Sequence, residues 1–217
     1  MAYLPQIPIN LFHIDINNLS KNMRILYNFS FDIILMLIIF LIYKKNIITD
    51  FKNYFKKFSE NFETSFKYYF IGLIIMITTN VLIIIFLNNA NANNENLIRE
   101  YINLYPLYML FSISIYAPFV EELIFRKSIH DIFLPYKNNF ITKYLYIITS
   151  GFIFASLHVV GLSKNIIDYI YIIPYLSLGI TFAALYHKTN NIFSTIIIHS
   201  MHNTITLILY IMAGIMS

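Results

Sequence analysis

Residues 192–216 read IFSTIIIHSMHNTITLILYIMAGIM, without a single Asp, Glu, Lys or Arg. A bilayer-spanning helix needs about 20 consecutive, mostly apolar residues, so this stretch is long enough to cross. In lipid every backbone polar group must be satisfied within the segment or within a closed barrel. The alternating pattern of barrel strands is absent, so the stretch predicts a helix. Five similar stretches precede it: 25–43 with Asp32 inside, 68–87, 104–125 interrupted by Pro106 and Pro118, 144–161, and 169–186 with Pro174 inside. The fold class expected is an all-α polytopic membrane bundle of about six transmembrane helices.

Composition agrees. The chain has 217 residues, of which 58% are hydrophobic and only 12% charged, with a mean hydropathy of +0.64. A soluble domain carries about a quarter charged residues, so an ordinary soluble globule and a disordered chain are both excluded. There is no Cys, which removes disulfides, thiolate metal sites and cysteine catalysis. The basic residues form no patch interleaved with exposed aromatics, so no nucleic-acid partner is expected. Residues 1–19 lack the basic segment of a secretion signal and contain Asp15, Pro5 and Pro8. They are expected to lie on the membrane surface.

The connecting segments differ in charge. Eleven Lys and Arg fall in the loop 44–67, in the loop after the third span and in the turn after the fifth; four fall on the other side. The positive-inside rule puts the richer side in the cytoplasm. The Asn-rich segment 88–96 has no Lys or Arg, in agreement. The chain is expected to divide into an N-terminal two-span region with a cytoplasmic basic loop, 1–100, and a second region, 101–217. The abundance of Asn, Ile and Lys suggests an AT-rich bacterial genome, so the expected location is a bacterial plasma membrane.

Ionisable residues inside spans are costly and usually functional. Three clusters occur. In APFVEELIFR, Glu122 and Arg126 are four apart, share a helix face and can pair. Glu121 points about 100° away, without that partner, and is the carboxylate free to act as a base. In GFIFASLHVVG, Phe154 and His158 share one face of the fourth span. In the sixth span His199 and Asn203 share a face, with His202 between them in projection. The bland alternatives are charges that merely end a span, and polar residues that hold helices together. Together the clusters bring carboxylates, two histidines, an Asn and an Arg onto three spans, a set able to hold and deprotonate water and to stabilise an oxyanion. No nucleophile elbow, phosphate loop or H-E-x-x-H motif is present. Two His and a Glu could also bind zinc.

The order E-E-x-x-x-R, F-x-x-x-H, H-x-x-x-N resembles the CAAX protease and bacteriocin-processing (CPBP, Abi) family of intramembrane proteases, which includes the type II CAAX prenyl endopeptidases. The matching stretch runs over 117–208, within the region 101–217, which then reads as the catalytic core. The resemblance implies an intramembrane endopeptidase. Glu121 would be the general base on water, with His158 positioning it. His199 and Asn203 would stabilise the oxyanion. Glu122 and Arg126 would form a supporting ion pair, or Arg126 would meet a substrate carboxylate; Phe154 belongs to the supporting set. No cofactor is expected to be required. A divalent metal such as zinc stays open, with Glu121, His158 and His199 as its ligands. The partners implied are a peptide or membrane-protein substrate, lipid-modified or not, and the lipid bilayer; peptide leader processing and bacteriocin self-immunity are the roles implied. A non-catalytic membrane immunity or regulatory scaffold protein is the alternative from a different class. The pattern departs from the family at Lys127, where Gly is common, and in having six spans. Straight ideal helices would put Glu121 near the inner face, His158 near the outer and His199 between. For the three to meet, Pro118 must reset the third span or the fourth must begin later. His13, His130 and His187 are expected at the surface, and His202 beside the site without a chemical role.

Overall fold

The computed structural model describes residues 19–87, 92–133, 135, 140–163 and 165–216. The expected surface segment with Asp15 and His13, Lys137 and Lys164 lie outside the described residues. Among the described residues seven helices carry the fold: α1 Lys21–Lys56, α2 Phe58–Leu87, α3 Asn93–Leu104, α4 Pro106–Phe133, α5 Phe140–Val159, α6 Ile172–Thr189, preceded by a 3-10 turn Ile166–Tyr171, and α7 Ile192–Met216. No strand occurs among the described residues. All but α3 are long and apolar enough to cross a membrane, and the protein is a multi-pass membrane protein.

Lipid shows in where the apolar side chains point. Leu41 and Ile42 of α1 are 67% and 68% exposed. In water such a face would be an aggregation hazard. Only Asp32, Ile39, Ile47 and Tyr54, seven or eight residues apart, are buried on α1. That spacing traces one narrow stripe toward the bundle, with the rest left to acyl chains. Asp32 is satisfied by the Tyr108 hydroxyl of α4, 2.8 Å away. At the basic end, the Asp50 carboxylate accepts the Ile192 N–H at 3.0 Å and so caps α7 from another helix.

Helices α5 and α6 approach most closely where Gly151 faces Gly179. A Cβ added to Gly179 would lie 2.7 Å from the Gly151 carbonyl oxygen, and one on Gly151 would lie 2.9 Å from the Ile180 nitrogen. Small residues let membrane helices pack backbone to backbone, and around Gly179 the nearest neighbours are all main chain, which cannot step aside. Gly179→Ala is expected to destabilise by roughly 1–3 kcal/mol, as overpacking does. A cysteine-free thermal unfolding series in detergent checks this. Gly214→Ala, where a Cβ meets nothing within 4 Å, should leave the midpoint unchanged.

Helix α4 is longer than the third span read from sequence. It continues past Phe125 to Phe133 and contains two π-helical segments, Ser112–Tyr116 and Leu123–Ser128. The first has a covalent cause. Pro118 has no N–H and its ring crowds the carbonyl four residues back, so the turn before it widens and the Ala117 N–H reaches back to Ser112. The carbonyls of Ile113 and Ser114 then find donors on α7: Asn203 Nδ2 at 3.1 Å for Ile113, and the Ser200 hydroxyl for Ser114. In the second segment Ser150 Oγ donates to the Phe125 carbonyl at 2.7 Å, and Ser128 Oγ to the Leu123 carbonyl at 3.0 Å. Such π-bulges often sit at functional sites because they rephase the side chains that follow.

Candidate functional site

Between the two π segments lie Glu121 and Glu122, buried inside the bundle with Arg126. With α4 carried on to Phe133, Glu121 falls in the interior of the span. It meets both histidines that straight-helix reasoning kept apart. Glu121 Oε2 is 4.0 Å from His158 Nε2 and 3.8 Å from His199 Nε2.

The other nitrogen of each ring fixes its proton. His158 Nδ1 is 2.8 Å from the Phe154 carbonyl oxygen, which can only accept, so Nδ1 carries the hydrogen. His199 Nδ1 is 2.8 Å from Glu122 Oε1, whose other oxygen accepts from Arg126 Nε at 2.9 Å. With Nδ1 so engaged, each ring turns Nε2 toward Glu121. Gaps of 3.8–4.0 Å are too long for direct hydrogen bonds and suit a bridging water.

Behind this pair the charges are closed off. Glu122 and Arg126 have fully buried side chains. Arg126 Nη1 donates to Ser150 Oγ at 3.1 Å, and its guanidinium lies 4.6 Å from the Phe154 ring centre, a cation–π distance. Phe154 also packs at 4.5 Å on the His158 ring and 5.9 Å from His199, so one aromatic joins all three helices of the site. Phe182 of α6 closes the far side of His199 at 5.5 Å.

Asn203 is placed differently from the other motif residues. Its amide nitrogen is engaged by the Ile113 carbonyl, so it docks α7 against the π-bulge. His202 meets the Tyr69 hydroxyl of α2 through Nδ1 at 3.2 Å. His130 and His187 are not isolated surface groups. Their ring centres lie 5.8 Å apart, and His130 packs edge-on against Tyr146 and Tyr186 at the basic end. Lys127 pairs with Asp131 at 2.6 Å on the same helix. Sequence reasoning missed Ser150, although it lies four residues before Phe154 and eight before His158, on the site face of α5. It also missed Tyr175, whose ring stacks on His158.

Glu121, His158 and His199 are the residues that would hold zinc. Tetrahedral ligands at 2.0–2.1 Å from zinc stand about 3.3 Å from one another. The Glu121 to histidine separations exceed that, and among the described residues no three His, Asp or Glu are arranged to hold a metal. The second hydrogen bond on each ring is of the kind metal-bound histidines make, but the set as placed does not fit the ion, and no chemical step is derived through it.

Residues 103–205 match the family model described as type II CAAX prenyl endopeptidase Rce1-like. A Bacillus subtilis (strain 168) protein named "Putative membrane peptidase YdiL" is 29% identical over 152 residues, 70% of this chain and 51% of that protein. The chain thus spans about half the length of the curated relative it matches. No solved structure matches it. Both similarities support the resemblance to the CPBP type of family drawn from the three motifs.

Proposed function

We propose that the chain is an intramembrane peptidase that hydrolyses a peptide bond with water activated by Glu121. The observation that carries this is the convergence of Glu121 Oε2 with the two Nε2 atoms of His158 and His199. A water held there gives one hydrogen to Glu121 and the other to an imidazole. Its oxygen attacks the scissile carbonyl, and Glu121 takes the proton released. The carbonyl oxygen becomes an oxyanion. The new hydroxyl keeps the second water hydrogen, which His199 Nε2 accepts; backed by the Glu122 carboxylate, that ring takes up this proton and, as an imidazolium, donates it in a hydrogen bond to the oxyanion, as carboxylate-supported imidazoles do elsewhere. When the C–N bond breaks, the Glu121 proton passes to the leaving amine. Glu122 and Arg126 stay paired throughout and hold His199 in register. No metal enters this scheme.

The burial of the site within the spans favours a substrate presented from the bilayer, as a membrane-anchored peptide or a lipid-modified protein. Leader processing and self-immunity are both roles such a cut could serve. Comparative peptidomics of membranes and medium, from cells carrying wild type or Glu121→Ala at matched expression, tests the reading. Peptide termini that appear only with wild type are expected. Identical peptidomes, with the mutant still rescuing the deletion phenotype, would replace the peptidase with a non-catalytic immunity or scaffold protein.

A further inference from the structure

The site is not equally closed on all sides. Side-chain exposure rises from 0% at Glu122 and Arg126, through 6% at Glu121 and His199, to 20% at His158. His158 is the penultimate residue of α5, at the end of the bundle away from the basic loops. What covers it there is Tyr175 of α6, with ring centres 4.8 Å apart and planes at 26°. Phe154 holds the imidazole from another side at 4.5 Å. A ring gripped by two aromatics and one carbonyl has little freedom, so the place of Tyr175 sets the aim of His158 Nε2.

Tyr175 is in turn held from outside the matched stretch. Asn94 Nδ2 of α3 donates to its hydroxyl at 3.3 Å. The neighbouring Asn93 Nδ2 donates to Asp168 Oδ2 at 2.8 Å, which also accepts the Asn165 N–H at 3.1 Å. Helix α3 is therefore fastened at two adjacent residues, once to the segment leading into α6 and once to the ring that covers the site.

We infer that α3 latches the site: Asn94 holds Tyr175, and Tyr175 is a positioning residue that keeps His158 aimed at Glu121 and shielded from water. Freeing the latch uncovers His158 at the end of the bundle opposite the basic loops. Only the turnover part of the test below rests on the peptidase reading; the latch itself does not.

The absence of Cys makes the latch open to a reversible lock. Full-length protein in nanodiscs is labelled with diethyl pyrocarbonate, and modification of each histidine is followed by mass spectrometry. His187, at the opposite end, is the internal reference. Asn94→Ala and Tyr175→Phe should each raise His158 labelling about fivefold, the weight of one hydrogen bond. The double variant should gain no more than either single, because both remove the same bond. Asn93→Cys with Asp168→Cys should slow His158 labelling when oxidised and release it on reduction, with His187 constant throughout. Labelling of His158 that ignores Asn94→Ala or the disulfide, or single effects that add, would overturn the latch. A parallel rise at His187 would mean general loosening and would overturn it too. In a cleavage assay Tyr175→Leu, which loses the stacking, should lower kcat severalfold with little change in KM, while Tyr175→Phe keeps most of it. Wild type that labels as expected but cleaves nothing would sink the peptidase reading and leave the latch standing.

Discussion

Glu121→Gln, assayed on a peptide pair found by the peptidome comparison, is expected to cleave about a thousandfold more slowly than wild type while unfolding at the same temperature or slightly higher. The two halves of this result belong together. Gln keeps the shape of Glu, so the packing around a side chain that is 6% exposed is preserved. Its amide can donate toward the Nε2 lone pairs of His158 and His199, which the carboxylate cannot do. Burial of an ionised carboxylate is costly, so its loss costs the fold nothing. What disappears is the group that accepts the water proton, and a positioned general base contributes typically 10²–10⁴-fold. A carboxylate present only to end a helix or bind a neighbour gives the reverse pattern, with stability falling and chemistry unaffected. Turnover within tenfold of wild type would remove Glu121 from the mechanism. His158→Asn and His199→Gln should lower the rate by comparable factors. Combined with Glu121→Gln they should add little, because residues that act as a unit are not additive.

The sequence made the six spans and the three polar clusters legible for one reason: in an apolar run, a charged or imidazole side chain stands out. The limits of that signal lie at particular residues. The continuation of α4 through 126–133 was hidden because the string RKSIHDIF looks like a polar loop. Two of its charges are cancelled locally, Lys127 by Asp131, while Arg126 turns inward to Glu122. Helix α3 was hidden by its Asn-rich start, although Ile98 and Ile102, four apart, mark the face that packs against Met109 and Leu207. Ser150 and Tyr175 gave no signal because hydroxyls are ordinary in membrane helices. The meeting of Glu121 with His158 could not be counted from ideal rises. It depends on a helix that runs on past a proline through widened turns, with the carbonyls released by the widening taken up by Ser200 and Asn203. The motif spacing named three helices, and the backbone irregularity brings their polar residues to one point.

The largest effect on folding is expected at Arg126. Arg126→Leu leaves Glu122 with a fully buried side chain and only His199 Nδ1 as a partner. Removing one member of a buried pair costs about 3–5 kcal/mol, a large part of the 5–15 kcal/mol that holds an ordinary domain together. The variant should express poorly and unfold many degrees below wild type in detergent. The double variant Arg126→Leu with Glu122→Leu removes both charges, and such replacements are often neutral or stabilising. Ser150 is not orphaned by it, because its hydroxyl already donates to the Phe125 carbonyl. His199 is, because its Nδ1–H loses its acceptor, and a buried unmet donor costs about 1–3 kcal/mol. The double variant should therefore recover most of the stability lost by the single one. It should not recover turnover, since nothing then holds the His199 tautomer that turns Nε2 toward Glu121. That divergence separates the two roles of the ion pair: its charges are dispensable for the fold once both are gone, but the carboxylate is needed to orient the histidine. A single variant as stable as wild type would show that the Glu122 charge is met in some other way. A double variant that cleaves normally would show that His199 needs no support from Glu122.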